Sequence, residues 1–156
     1  MLNYEILDSS DHPLVPTVRA LFEEYADELE VDLCFQGFLE ELAELPGKYG
    51  PPDGLLMVVS DGETPIACGA MRKIEVLTCE LKRIYVKPSH RGKGIGRQIT
   101  LDLIEKAKEL GYATIRLDTL GRLTAARSLY TSLGFSEIEP YSFNPGLDIV
   151  YFQRTI

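Results

Sequence analysis

From Val86 to Arg97 the chain reads Val-Lys-Pro-Ser-His-Arg-Gly-Lys-Gly-Ile-Gly-Arg. The segment before it, Cys79-Glu-Leu-Lys-Arg-Ile-Tyr85, is rich in strand formers. After it, Ile99, Leu101, Leu103, Ile104, Ala107 and Leu110 recur at helical spacing. A strand therefore ends, turns through glycines and enters a helix. The first N–H groups of such a helix have no partner within it, and the helix dipole adds positive potential there. Arg91, Lys93 and Arg97 add full charges. Together these make a site for a phosphate or pyrophosphate.

Two common phosphate loops do not fit. A P-loop enters its helix with Gly-Lys-Ser/Thr, whereas Gly96 is followed by Arg97-Gln98. A dinucleotide fingerprint needs a third glycine that neither register supplies. The spacing present, Arg91-x-x-Gly94-x-Gly96, resembles the acyl-CoA pyrophosphate loop of the GCN5-related N-acetyltransferase (GNAT) superfamily, Gln/Arg-x-x-Gly-x-Gly/Ala. A second segment supports the resemblance. Ala126, Leu129, Tyr130, Gly134 and Phe135 match the family's Asn-x-x-Ala-x-x-Leu-Tyr-x-x-x-Gly-Phe. The usual Asn falls at Leu123, which puts its helix cap and its cofactor contact in doubt. Thr124 is the candidate substitute cap.

The chain of 156 residues is long enough for one domain with a real core, and a single domain over residues 1–156 is expected. No apolar run approaches membrane-spanning length, and the N-terminus lacks a signal-peptide pattern. Cys34, Cys68 and Cys79 are odd in number and lie in apolar surroundings. They read as buried free thiols of a cytoplasmic protein, and no metal-ligand spacing involves them. The net charge of −8 argues against nucleic acid as a partner. It is unevenly placed. Residues 1–53 hold 13 acidic against 2 basic side chains, and residues 72–116 hold 11 basic against 5 acidic. An anionic cofactor accounts for the basic middle. The acidic third is either a set of solvated helix faces or an attractor for a cationic acceptor.

The order reads β-α-α-β-β-β-α-β-α-β-β. Strands are expected over 4–7, 55–59, 65–71, 79–86, 113–118, 135–138 and 149–152. Helices are expected from Pro13–Pro16 through Leu29, over 36–45, over 96–110 and over 123–133. Val18, Leu21, Phe22, Tyr25 and Leu29 form the buried stripe of the first helix. Small residues at Ala67, Gly69 and Ala70 suggest close packing of that strand against a helix. The helix between the strand at 79–86 and the strand at 113 is a crossover, which makes those strands parallel neighbours. A mixed α/β sheet of this order matches the GNAT fold over nearly all of the chain.

The resemblance implies an acetyl-CoA-dependent N-acetyltransferase, with the acceptor amine attacking the thioester directly. Acetyl-CoA is then the co-substrate. Backbone groups of Ile84 and Val86 are expected to pair with its pantetheine arm, and an N–H near Tyr85 or Val86 to polarise the thioester oxygen. Arg91, Gly92, Lys93, Gly94, Ile95, Gly96 and Arg97 are expected to hold the pyrophosphate. Tyr130 corresponds to the family tyrosine beside the coenzyme sulfur, which protonates or hydrogen-bonds the leaving thiolate. Packing on the sheet is the alternative for it. Glu80 is the candidate base, because it lies six residues before Val86, where the histone-acetylating branch of the family carries its catalytic glutamate; pairing with Lys82 or Arg72, or facing solvent, is its alternative. Tyr25 and Phe35 are candidate acceptor contacts. Arg72 and Arg83 are candidates to hold an acceptor carboxylate, which implies an amino acid or similar zwitterion. A homodimer is an expectation by resemblance. An acceptor on a protein or peptide, and a catalytically silent acetyl-CoA-binding module, remain open alternatives.

Overall fold

The computed structural model describes residues 1–30, 37–142 and 148–156. Its strands are β1 (Leu2–Ile6), β2 (Leu55–Asp61), β3 (Thr64–Glu75), β4 (Thr78–Val86), β5 (Thr114–Leu120), β6 (Ser136–Ile138) and β7 (Ile149–Thr155). Its helices are α1 (Val15–Leu29), α2 (Phe38–Glu44), α3 (Ile95–Glu109) and α4 (Thr124–Ser132). The order of elements is the expected one. The strands form one sheet in the order β1-β2-β3-β4-β5-β7-β6. β4 and β5 are parallel, as the α3 crossover requires, and every other neighbouring pair is antiparallel.

Both faces of the sheet are covered, so residues of the inner strands alternate between two apolar layers. On one face Ile99, Leu103 and Ile104 of α3 and Tyr130 of α4 pack against Met57, Met71, Leu81 and Leu117. On the other, Val18, Leu21 and Phe22 of α1 and Phe38 and Leu42 of α2 pack against Leu56, Val58, Ala70 and Tyr85. The small residues of β3 have the expected cause. A Cβ on Gly69 would lie 2.5 Å from Cγ2 of Ile99, so glycine here lets α3 lie close against the sheet. Cys68 and Cys79 are buried free thiols. Cys34 lies outside the described residues.

Two irregularities position the site. Between Cys68 and Ala70 of β3 the partner strand advances from Tyr85 to Lys82, so β4 carries one residue more than β3. The surplus is a β-bulge, and Arg83 occupies it at φ +59°. The second irregularity lies on the other side of β4. Pairing with β5 runs over three rungs, Thr78 with Thr114, Cys79 with Ile115 and Glu80 with Arg116. Beyond that, no rung joins the two strands among the described residues, although β4 continues to Val86 and β5 to Leu120. The parallel neighbours splay apart toward the glycine loop, as the family resemblance implies.

Candidate active site

The splay opens into a cleft of about 630 Å³ between β4, the glycine loop, the start of α4 and the end of α1. Ile84, Tyr85, Val86, Arg91, Gly92, Gly94, Ile95, Gly96 and Arg97 all line it. Lys93 is exposed and stands outside the wall. Gly92 and Gly94 sit at φ +78° and +79°, in the left-handed region that a side chain disfavours. Gly94 is the residue before α3, and no side chain caps that helix. Its first i→i−4 bond runs from the Gln98 N–H to the Gly94 carbonyl. The N–H groups of Ile95, Gly96 and Arg97 therefore precede the helical ladder at the cleft wall, an arrangement suited to a pyrophosphate.

The acidic N-terminal third meets this loop directly. Glu28 of α1 pairs with Arg91, and Glu24 accepts a hydrogen bond from the Tyr85 hydroxyl (2.9 Å) and lies 3.7 Å from Lys87. Charge imbalance was visible in the sequence, but its partners were not. Tyr25 lines the cleft beside Tyr85, with ring centroids 5.8 Å apart. Burial pushes its phenol up to about 12 against the pull of Arg83. Arg122, which sequence reasoning missed, reaches from before α4 to the Leu29 carbonyl and closes the end of the cleft.

α4 carries Tyr130, and its C-terminus explains the spacing of the second motif. Phe135 N–H bonds the Tyr130 carbonyl, Gly134 N–H bonds that of Thr131, and Gly134 sits at φ +88°. This is a Schellman stop, accompanied by the apolar contact of Tyr130 with Phe135 at 5.9 Å. The N-terminus differs from expectation. Leu123 holds the cap position, no side chain caps the helix, and Thr124 does not supply a substitute. Tyr130 is buried, its ring 6.2 Å from that of Phe152, and burial, with Tyr25 and Asp118, raises its phenol above the usual range. Among the described residues nothing hydrogen-bonds its hydroxyl.

The acceptor candidates separate. Arg83 is 5% exposed and forks onto Glu41 of α2, Nε to Oε2 at 2.8 Å and Nη2 to Oε1 at 3.0 Å. The expectation that it holds an acceptor carboxylate is corrected: its fork already holds a carboxylate of this chain. Glu80 is 2% exposed. Its Oε1 accepts from Arg72 Nε (2.8 Å) and its Oε2 from the Tyr141 hydroxyl (2.7 Å). Burial pushes its carboxyl up, but Lys82, Arg72 and Tyr141 outweigh burial and hold it below the ordinary range. A carboxylate closed off from solvent, with a donor already on each oxygen, is poorly placed to receive a proton. Arg72, with a side chain 31% exposed, keeps its Nη edge clear of that bond. Phe35 lies outside the described residues.

The GNAT acetyltransferase family model matches residues 18–135. The chain belongs to this family. It is therefore an acetyl-CoA-dependent acetyltransferase, and acetyl-CoA is its co-substrate. An uncharacterized N-acetyltransferase of Schizosaccharomyces pombe is 39% identical over 137 residues, spanning 86% of this chain and 84% of that one. The human N-acetylaspartate synthetase is 33% identical over 118 residues, 73% of this chain but 39% of that protein. A GNAT acetyltransferase of Elizabethkingia anophelis with acetyl-CoA bound superposes with a TM-score of 0.69 at 18% identity, covering 99% and 98% of the two chains. Among the described residues no helix is long and apolar enough to cross a membrane, and no cluster of side chains suits a metal ion.

The GNAT loop makes a direct test. A Cβ on Gly94 would meet nothing within 4 Å, so the cost of Gly94→Val is conformational. Holding the left-handed region costs a side-chain-bearing residue roughly 1–2 kcal/mol. Acetyl-CoA affinity measured by isothermal titration is expected to fall about tenfold, the equivalent of about 1.4 kcal/mol. Unchanged affinity would remove the loop from cofactor binding.

Proposed function

We propose that the protein transfers the acetyl group of acetyl-CoA directly to the primary amine of a small molecule that also carries a carboxylate, an amino acid or similar zwitterion. The observation that carries this reading is the mixed charge at the splay. Arg72, Glu80, Lys82 and Asp118 interact electrostatically on the α1/α2 side of the sheet. The set holds two cations and two anions, so an acceptor of a single sign would unbalance it. A small zwitterion brings both signs to it. The name of the human relative, N-acetylaspartate synthetase, points to the same class of acceptor.

Direct transfer is favoured because the described thiols make poor nucleophiles. Burial raises Cys68 well above its ordinary value and pushes Cys79 up to about 12. In this reading the α3 N-terminus and Arg97 hold the pyrophosphate, the edge of β4 receives the pantetheine arm, and Tyr130 donates a hydrogen bond to the departing sulfur. The remaining Nη edge of Arg72 meets the acceptor carboxylate. The test is release of free thiol from acetyl-CoA with amino acids, spermidine and an alanyl peptide as separate acceptors. Turnover is expected with amino acids, acidic ones first, and is expected to drop when the carboxylate is amidated. Transfer to the peptide or spermidine with none to amino acids would overturn the reading.

A further inference from the structure

Ile115 and Leu117 of β5 point into the core beneath α3, so the alternating Arg116 and Asp118 take the opposite face. On β4, Cys79 and Leu81 share that core, which sends Glu80 and Lys82 to the same face as Asp118. The last rung between the strands joins Glu80 to Arg116. Two residues further, the same register sets Lys82 opposite Asp118, where the strands have parted. An ammonium and a carboxylate thus flank the mouth of the splay on the side away from α3.

Asp118 is also the group that links the two halves of the site. It interacts electrostatically with Lys82, Glu80 and Arg83 of β4 and Arg72 of β3. It interacts likewise with Tyr25 of α1, Tyr130 of α4 and Tyr141 beyond β6. Of Asp118 and Glu80, it is the one that interacts electrostatically with Tyr130. It is also the accessible one. Asp118 is partly exposed, and among the described residues no donor hydrogen-bonds it, whereas both oxygens of Glu80 are taken.

We propose that Asp118, and not Glu80, takes the proton from the acceptor ammonium. The assignment rests on the reading of this face as the acceptor side. One N–H bond of the ammonium breaks and its proton passes to the Asp118 carboxylate. The freed lone pair forms the C–N bond as the thioester C–S bond breaks, and the bonding pair leaves on sulfur, hydrogen-bonded by Tyr130. A water takes the second nitrogen proton, and Asp118 returns its own to solvent. The environment divides the two carboxylates accordingly. Burial and the charge of Glu80 raise Asp118 against the pull of Lys82, while Glu80 itself is held down. Neighbouring carboxyls pushed in opposite directions are a signature of separate acid–base roles.

Two measurements on the full chain test this. The first is a ¹³C-carboxyl NMR titration of the free protein. A carboxyl titrating above the ordinary aspartate range is expected. It should vanish in Asp118→Asn and move down in Glu80→Gln, which removes a like charge. The second is the pH profile of kcat/KM with whichever of L-aspartate, spermidine or the alanyl peptide turns over. Failure of the amino-acid reading is thereby seen separately from failure of the proton assignment. Asp118→Asn is expected to lower the rate about 100-fold at neutral pH. That deficit should shrink as pH rises toward the acceptor's own pKa, with acetyl-CoA affinity unchanged. Glu80→Gln should keep the rising limb. No raised carboxyl, or an Asp118→Asn profile parallel to that of the unaltered protein, would overturn the assignment.

Discussion

Replacing Glu41 by leucine is expected to lower the free energy of unfolding by about 3–5 kcal/mol, the usual effect of breaking a buried ion pair from one side. The Arg83 and Glu41 side chains are 4% and 2% exposed, and their bidentate geometry spends both carboxylate oxygens on the guanidinium. That guanidinium also lies 5.3 Å over the ring of Phe38, so α2 grips it from two sides. Leucine strips a buried cation of this carboxylate and offers it nothing polar. Urea unfolding at neutral pH measures the loss. Because the pair is itself expensive to desolvate, Glu41→Leu combined with Arg83→Met is expected to recover most of it. A single-variant loss below about 1 kcal/mol would be that of a surface pair. It would end the idea that Glu41 pins the bulge. The consequence reaches the site, since Arg83 is the surplus residue of the bulge in β4, the strand that lines the cleft.

That bulge also marks where sequence reading stops. The loop and the α4 stop are legible because their signals are local. Gly92, Gly94 and Gly134 are glycines at positive φ, within a few residues of the helices they bound. The crossover and the parallel pair follow from the order of elements alone. Nothing local announces that Arg83, a β-strand residue by pattern, adopts φ +59°. Its partner lies 42 residues away in α2, and the alternation of β4 changes phase at the bulge. The expectation that Arg83 holds an acceptor carboxylate therefore fails at a contact that no local pattern shows. A still larger separation hides Tyr141, whose hydroxyl reaches Glu80 across 61 residues and occupies one oxygen of the candidate base. Asp118 reads in sequence as an ordinary strand carboxylate. Its distinction comes from the register with Lys82 and from the parting of two strands, neither of which is a property of residues 113–118.

Tyr130→Phe is expected to lower kcat by about 10–100-fold while leaving acetyl-CoA affinity unchanged. Phenylalanine keeps the ring that packs against Phe135 and Phe152, and the Schellman stop holds the backbone from the far side of the residue. The lost group is then the hydroxyl alone. The size of the effect depends on what that hydroxyl does. Burial first, then Tyr25 and Asp118, keep the phenol protonated at neutral pH and raise it further above its ordinary value. A thiol has an ordinary pKa of about 8.5, so its thiolate is too weak a base to pull a proton from such a phenol. A hydrogen bond to sulfur as charge develops remains available, and a charge-assisted bond is worth about 1.5–3 kcal/mol, or roughly 10–150-fold in rate. Full proton transfer would carry a larger factor, up to about 10⁴. Initial rates of thiol release and isothermal titration with acetyl-CoA separate the cases. A fall beyond about a thousandfold at unchanged affinity would mean that the proton itself moves. Equal turnover would return Tyr130 to a packing role and leave the departing sulfur to solvent.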